Sequence, residues 1–231
     1  MILIEDRELE AAVLARNSCI AVPIEIWKPV AGEAQITVYS CFEKIARDFE
    51  KSFDGHAFEA NALNWLDEQL SATVKEFGYM HCFEDVHFLS EYYMTDLSQL
   101  QKSSNLADVK IINNEEELED IDTELISDVV VDSKAAVVIR DGKLVCISTA
   151  NDVTFEDNSI EIYVETQEEH RGKGYGAAAV TALAKLYLEQ GLTVRYKCAK
   201  TNLPSIALAY KCGFIKTGEK YAYVCYAIDE N

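Results

Sequence analysis

The feature that most constrains this chain is a strand, a glycine-rich loop, a helix and a second strand in direct succession. Residues 159–166, SIEIYVET, alternate apolar and polar side chains, which predicts a strand. The loop HRGKGYG follows at 170–176, and residues 177–190 then repeat apolar side chains at helical spacing. The run TVRYKCA at 193–199 predicts the second strand. This order indicates a mixed α/β fold and places the glycines where a strand turns into a helix.

The glycine loop itself predicts an anion-binding site. The first N–H groups of a helix have no partner within it, and the helix dipole adds positive potential there. Gly172, Gly174 and Gly176 lack the Cβ atoms that would hold a phosphate oxygen away, and Arg171 and Lys173 add positive charge. The alternating glycines match neither the GxxxxGK[ST] nor the GxGxxG nucleotide pattern. The loop therefore indicates a phosphate or pyrophosphate of another ligand, with a plain tight turn as the structural alternative.

The rest of the second half predicts mostly antiparallel strands. Two apolar runs, KAAVVIR and LVCISTA, flank Asp141-Gly142-Lys143, which is a strong hairpin signal. We also predict a strand at 108–112, a partly helical acidic segment at 115–128, a helix at LPSIALAYKC and closing strands at GFIKT and YAYVCYAI. The predicted fold class is α+β or mixed α/β, with a central, mostly antiparallel sheet and flanking helices.

The first half is predicted to form a smaller α+β module. CIAVPIEIW and AQITVYS have the composition of strands, while CFEKIARDFEKSF and ALNWLDEQLSATVKEF have the apolar spacing of amphipathic helices. The stretch QKSSNLAD at 101–108 is the most linker-like in the chain. We therefore predict an accessory domain over residues 1–106 and a second domain over residues 107–231.

Two segments together resemble the GNAT superfamily of N-acetyltransferases. Arg171-x-x-Gly174-x-Gly176 fits the [Q/R]-x-x-G-x-[G/A] cofactor motif of that superfamily. NLPSIALAYKCGF resembles its second segment, in which an Asn after a strand, a Ser, a helical Tyr and a Gly-Phe pair follow in order; here these are Asn202, Ser205, Tyr210, Gly213 and Phe214. The resemblance covers residues 108–231, and Glu168 stands where a proline is frequent. The form ETQEEHRGKG is also similar to a bacterial GNAT subgroup with an extra N-terminal domain.

The resemblance implies acetyl-CoA as the acetyl donor. Backbone N–H groups of residues 172–177 would hold the pyrophosphate, and the strand from Val164 to Thr166 would splay from its neighbour and pair with the pantetheine amides. Asn202 would bind the pantetheine arm or order the start of its helix, and His170 is expected to line the cofactor. The implied cofactor-binding residues are Val164, Thr166, Arg171, Gly172, Lys173, Gly174, Tyr175, Gly176, Ala177, Asn202 and Ser205.

Acetyl transfer to an amine needs one group that takes the amine proton and another that gives a proton to the leaving sulfur. By the resemblance, Tyr210 is the acid towards the CoA sulfur. A core tyrosine is the alternative, because Ile206 and Ala209 share its helical face. The resemblance also implies a base on this strand, because in part of the superfamily a glutamate there takes the proton, directly or through water. Glu161 and Glu165 alternate onto one face of the strand and are both candidates for it, with solvated side chains as the alternative.

Charge is spread unevenly along the chain. Residues 115–128 carry eight acids and no base. By the resemblance they fall where the first helices wall the acceptor site, so they would attract a cationic amine; a solvated helix face is the alternative. Residues 193–220 are instead basic, and we expect them either to neutralise the 3′-phosphate end of the cofactor or to form a solvated surface. Their basic residues are Arg195, Lys197, Lys200, Lys211, Lys216 and Lys220, against Glu219 alone.

Other features restrict the partners and the location. A net charge of −19 argues against nucleic acid as a partner. We expect neither a membrane span nor a signal peptide, because the chain lacks a long apolar run and a basic N-terminal region. Seven cysteines without a CxxC spacing indicate reduced thiols and a cytoplasmic protein. No metal is expected, since His81, Cys82 and His87 are irregularly spaced, and a homodimer is compatible with the sequence.

The predicted function is acetyl-CoA-dependent N-acetyl transfer to a primary amine of a small molecule or peptide. The alternative from another class is a non-catalytic sensor or interaction module that binds an acyl-CoA. Retention of Tyr210 together with the strand glutamates favours the enzyme, because a pure binder needs neither.

Overall fold

The computed structural model describes residues 1–5, 20–53, 55–76, 79–81, 88–103, 105–123, 134–150 and 157–227. The strands are β1 (Ile2–Glu5), β2 (Ile20–Pro29), β3 (Gln35–Tyr39), β4 (Tyr79–His81), β5 (Phe88–Met94), β6 (Val109–Ile112), β7 (Ala135–Arg140), β8 (Lys143–Ala150), β9 (Ser159–Thr166), β10 (Thr193–Ala199) and β11 (Ile215–Ala227). The helices are α1 (Glu43–Phe53), α2 (Ala60–Glu76), α3 (Tyr175–Glu189) and α4 (Leu203–Cys212). None of these described helices is long and apolar enough to span a membrane.

By its internal contacts the chain divides into two compact units. The first comprises Met1–Ser90, Ala199–Thr201 and Thr217–Asn231, and the second comprises Glu91–Cys198 and Asn202–Lys216. The domain boundary between residues 106 and 107 stays a prediction.

The first unit is a small sheet with two amphipathic helices. Strand β1 runs parallel to β3, whereas β2 runs antiparallel to both β3 and β11, and β4 antiparallel to β11. Helix α2 repeats buried apolar residues on one face, which is the pattern of a helix packed on a core. These residues pack with Ile24, Val38, Phe49 and Tyr223 in one hydrophobic cluster.

The second unit contains the strand–loop–helix–strand segment. Its strands lie in the order β5-β10-β9-β8-β7-β6. Strands β9 and β10 are parallel, and the pairs β9–β8, β8–β7 and β7–β6 are antiparallel. The predicted hairpin is confirmed: Asp141 and Gly142 have φ angles of 52° and 78°, which suit the tight turns of two-residue hairpins.

Alternation along β9 and β10 separates a core face from a charged face. Ile160, Ile162, Val194 and Tyr196 are buried with α3 and α4 in the main hydrophobic cluster. The residues between them point to the other face of the strands, which carries the ionisable side chains discussed below. The mixed α/β fold with a mostly antiparallel sheet is therefore confirmed.

In three segments the secondary structure differs from what the sequence predicted. The two closing strands are one continuous strand, β11, in which Gly218 pairs with Pro29; a Cβ at Gly218 would lie 2.6 Å from the Lys28 carbonyl oxygen. The acidic segment forms a 3-10 turn at Glu115–Leu118 in its described part, and residues 124–128 lie outside the described residues. Strand β5 was not predicted, because its sequence FLSEYYM lacks strict alternation.

Candidate cofactor site

The candidate site begins where β9 and β10 part. These parallel strands pair through Ser159, Ile160 and Glu161. From Ile162 to Thr166, β9 continues its ladder with β8, while its described register with β10 has ended. The open edge of β9 in this stretch offers main-chain groups with which an extended ligand can pair.

The glycine loop after β9 adopts conformations that favour glycine. Gly172 and Gly174 have φ angles of 75° and 84°, in the left-handed region. Gly174 is the N-cap of α3, and its carbonyl accepts a hydrogen bond of 3.1 Å from the Ala178 N–H. The positive end of the α3 dipole therefore lies at the loop.

The loop, the end of β9 and one face of α4 line a cavity of about 540 Å³. The predicted residues in its wall are Val164, Glu165, Thr166, Arg171, Gly172, Gly174, Tyr175, Gly176, Ala177, Asn202 and Ser205. Lys173, Glu161 and Tyr210 are not among the lining residues. The structure thus gathers nearly all of the predicted cofactor residues around one cavity.

Two details of this cavity fit a phosphate-bearing ligand. A Cβ at Gly176 would lie 3.3 Å from Thr166 Oγ1, 3.7 Å from Leu208 Cδ2 and 3.8 Å from Val164 Cγ2, so a larger residue would fill the space between them. His170 also lines the cavity, and its Nδ1 is buried without a hydrogen-bond partner among the described residues. Buried polar atoms almost always have a hydrogen-bond partner, and an atom of a ligand bound in the cavity would supply one for this nitrogen.

One face of α4 forms the wall opposite the loop. Pro204, Ala207, Leu208 and Lys211 line the cavity, at the spacing that places residues on one side of a helix. Sequence reasoning had grouped Lys211 with a basic stretch and had not assigned the other three. The helical spacing from Pro204 was the signal that could have found them.

Asn202 and Ser205 are held by local hydrogen bonds at the start of α4. The Ser205 N–H donates to Asn202 Oδ1 at 3.1 Å, so Asn202 is an N-cap, and Pro204 occupies the first turn. The Tyr196 hydroxyl bonds Ser205 Oγ at 3.1 Å. Burial raises the pKa of Tyr196 to about 12, so this phenol keeps its proton at neutral pH.

Tyr210 lies on α4 outside the cavity wall. Its side chain is 54% exposed, so it is not the core tyrosine that the sequence allowed as an alternative. Its ring packs edge-on against that of buried Tyr92, with centroids 5.4 Å apart and an interplanar angle of 89°. This contact restricts the orientation of the exposed phenol.

The two candidate bases differ in environment. Glu165 is exposed and lines the cavity. Glu161 is only 6% exposed, and its carboxylate forms an ion pair with Lys197, in which Nζ lies 2.8 Å from Oε2. The same ammonium lies 3.9 Å from buried Glu91, so Lys197 joins side chains of β5, β9 and β10.

The basic stretch at 193–220 does not form one patch at the cavity. Lys197 pairs with Glu161, Lys200 with Glu219, and Lys220 with Glu25, while the guanidinium of Arg195 lies over the Tyr93 ring. Of the basic residues of this stretch, Lys211 lines the cavity. Lys197, Lys200 and Lys220 are therefore engaged by acids, and neutralisation of the 3′-phosphate end of the cofactor by this stretch stays a prediction.

The acidic run is partly engaged in ion pairs. Glu117 accepts from the Asn113 N–H and pairs with Lys110 at 3.2 Å, and these hydrogen bonds lower its pKa. Asp122 pairs with Lys143 at 3.4 Å. Exposed acids at 115, 116, 119 and 120 leave this surface negative.

Within the described part of the chain, no group of three or more His, Cys, Asp or Glu side chains is arranged to hold a metal ion. Cys82 and His87 lie outside the described residues, as does the side chain of His81.

A splayed strand, a glycine loop at a helix N-terminus and a cavity between them are features of proteins that bind an elongated phosphate-bearing ligand. The model of the GNAT acetyltransferase family matches residues 64–226, which is more than half of the chain. The protein therefore belongs to the GNAT acetyltransferase family, whose general activity is acetyl transfer.

The solved structures to which this chain is similar are distant in sequence. A protein from Novosphingobium aromaticivorans, described as an acetyltransferase of the GNAT family, is 16% identical with a TM-score of 0.51; the match covers 65% of this chain and 68% of that chain. A GCN5-related N-acetyltransferase-like protein from Streptococcus suis is 20% identical with a TM-score of 0.48, over 70% of this chain and 69% of that chain. No curated protein sequence matches the chain.

Proposed function

We propose that this protein is an acetyl-CoA-dependent N-acetyltransferase that acts on a primary amine of a small molecule or peptide. The observation that carries the proposal is the cavity between the glycine loop, the open edge of β9 and α4, with Gly176 as the floor that a side chain would fill. Membership of the GNAT family supports acetyl transfer as the chemistry.

The cofactor would lie along the loop and the strand. Backbone N–H groups of residues 172–177 bind the pyrophosphate at the positive end of α3, with Arg171 and Lys173 adding positive charge. The open edge at Val164 and Thr166 pairs with the pantetheine amides. Tyr175, Ala177, Asn202 and Ser205 complete the walls.

Acetyl-CoA, when bound, supplies a thioester whose C–S bond breaks as the amine forms a C–N bond. The Tyr210 hydroxyl gives a proton to the departing sulfur, and a carboxylate of β9 takes the proton that the amine loses. Glu161 and Glu165 are the candidates for that carboxylate. The Tyr92 ring helps to orient the Tyr210 phenol.

A cationic amine is the acceptor that the charge distribution favours. The net charge of −19 and the exposed acids at 115–120 attract ammonium groups and repel nucleic acid. We also propose a cytoplasmic location, which is supported by the free thiols of Cys41, Cys146, Cys198 and Cys212 among the described residues.

Acetyl-CoA is expected to stabilise the protein against heat. A ligand at 100 times its Kd adds about 2.7 kcal/mol, which corresponds to about 5–10 °C in Tm for a chain of this size. CoA should act alike, whereas NADH, which has a pyrophosphate but no pantetheine, should leave Tm unchanged. An unmoved Tm at saturating acetyl-CoA would contradict the proposal.

We expect Glu161→Gln to lower kcat about 10²–10⁴-fold, and Glu165→Gln to lower it much less. Glu161 is held in one orientation by Lys197 where β9 and β10 part, whereas Glu165 is solvent-exposed. The measurement is thiol release at saturating acetyl-CoA with an amine that the wild type acetylates.

The matched control is Lys197→Met, which breaks the same ion pair but keeps the carboxylate. Equal losses in Glu161→Gln and Lys197→Met would assign the effect to the ion pair. The reverse ranking of the two glutamate variants would make Glu165 the base.

A further inference from the structure

The linker-like stretch before β6 contains a short turn that contacts the glycine loop. Asn105 precedes the 3-10 turn Leu106–Asp108, and its side chain makes no capping hydrogen bond there. Instead, Asn105 Nδ2 donates a hydrogen bond of 2.6 Å to the Lys173 carbonyl oxygen, 68 residues away. An Asn before a short helical turn ordinarily caps it, so this side chain is committed to the loop.

This hydrogen bond sets the direction of the peptide between Lys173 and Gly174. Across a trans peptide bond the carbonyl and the following N–H point in opposite directions. With the Lys173 carbonyl held by Asn105, the Gly174 N–H points away from Asn105. Gly174 lines the cavity and Asn105 does not, so this orientation presents an N–H donor to a ligand there.

Contact between the two residues is close. A Cβ at Gly174 would lie 3.3 Å from Asn105 Nδ2, and the φ of 84° at Gly174 is one that side chains rarely adopt. Glycine at 174 therefore serves both the turn and the approach of Asn105.

The other end of the same turn supports the residue after Gly174. Asp108 pairs with the Arg140 guanidinium at 2.5 Å. Arg140 Nε in turn donates to the Tyr175 hydroxyl at 3.3 Å, and its guanidinium carbon lies 5.1 Å from the centre of that ring. Tyr175 is the first residue of α3 and lines the cavity. Both ends of the turn thus hold neighbouring residues of the loop.

We propose that the turn from Asn105 to Asp108 positions the glycine loop for anion binding, and that Asn105 is a positioning residue that sets affinity for the pyrophosphate of the cofactor. This inference rests on the proposed use of acetyl-CoA. It adds a residue from outside both sequence motifs to the binding of the phosphate end.

The test variant is Asn105→Ala, with Asn113→Ala as the matched control. Asn113 is exposed, lies in the same unit and loses a side-chain hydrogen bond, to Glu117. Without Asn105 the Gly174 N–H is no longer directed at the pyrophosphate, and loss of one charge-assisted hydrogen bond lowers the affinity for CoA about tenfold. We expect the Kd for CoA, measured calorimetrically, to rise by that factor in Asn105→Ala and to stay unchanged in Asn113→Ala.

A fragment without the pyrophosphate distinguishes positioning of the loop from a general structural effect. With acetyl-CoA, Asn105→Ala should raise KM and leave kcat unchanged. With S-acetylpantetheine, which ends before the pyrophosphate, Asn105→Ala and wild type should have equal kcat/KM. Asp108→Asn weakens the ion pair with Arg140 at the other end of the turn and should also raise the Kd for CoA.

Three outcomes would overturn the inference. Unchanged CoA affinity in Asn105→Ala would show that the hydrogen bond does not set it. An equal loss of kcat/KM with S-acetylpantetheine and acetyl-CoA would assign Asn105 a general structural role. If the wild-type protein bound no CoA, both the proposed function and this inference would fail. The titration of the wild type alone distinguishes that outcome from the other two.

Discussion

Replacing Tyr210 by Phe is expected to lower kcat about 10²–10⁴-fold while leaving the Kd for CoA within twofold or so of the wild-type value. The phenol is 54% exposed and lies outside the cavity wall, so its hydroxyl is not needed to bind the cofactor. If it protonates the leaving sulfur, its loss acts on the chemical step alone. Thiol release at saturating acetyl-CoA and a separate CoA titration measure the two quantities.

Tyr187→Phe is the matched control for this prediction. Tyr187 belongs to α3, is 5% exposed and does not line the cavity, so removal of its hydroxyl should leave kcat near wild type. An unchanged kcat in Tyr210→Phe would remove Tyr210 from the mechanism. Wild-type protein that bound acetyl-CoA but acetylated no amine would instead support the non-catalytic acyl-CoA-binding alternative.

Replacing Gly176 by Val is expected to weaken CoA binding about 100-fold or more, because the side chain displaces the ligand from at least two charge-assisted contacts to loop N–H groups. Even the Cβ would lie 3.3 Å from Thr166 Oγ1, and the methyl groups extend further into the cavity. Because the 3.3 Å contact requires Thr166 to shift, the Tm of Gly176→Val without ligand is measured first and serves as the reference for its CoA-induced rise.

The change in Tm on adding CoA measures this effect without an assay for turnover. Lys185→Val is the control, since it places the same side chain on an exposed position of the same helix. It should keep the full CoA-induced rise in Tm. A rise of wild-type size in Gly176→Val would mean that the ligand lies elsewhere.

Local patterns were sufficient for most of the elements around the site. Asp141-Gly142 predicted a hairpin because only certain residues adopt its positive φ angles readily, and both residues have them. The glycine loop and the start of α3 were predicted for the same kind of reason, and the cap at Asn202 was one of the two roles that the resemblance left open for it. Each depends on the conformational preferences of a few consecutive residues.

Pairing between distant strands was not readable in this way. The lysines after residue 193 appeared as one basic surface in the sequence, but Lys197 is paired with Glu161 of β9. The closing segment appeared as two strands, but it is one strand that pairs with β2 and β4. Sequence order does not specify which strand lies beside which, and ion pairs across strands follow from that choice.

The sequence by itself determined the family, the glycine loop and the helix that follows it, because these depend on consecutive residues and their spacing. Only the tertiary structure decided that Asn105 contacts Lys173, that Tyr210 is exposed against Tyr92, and that Glu161 is buried in an ion pair. Asn105 and Lys173 are 68 residues apart, and their contact forms only when tertiary packing brings the two segments together. The conformational preferences of neighbouring residues do not predict such a contact.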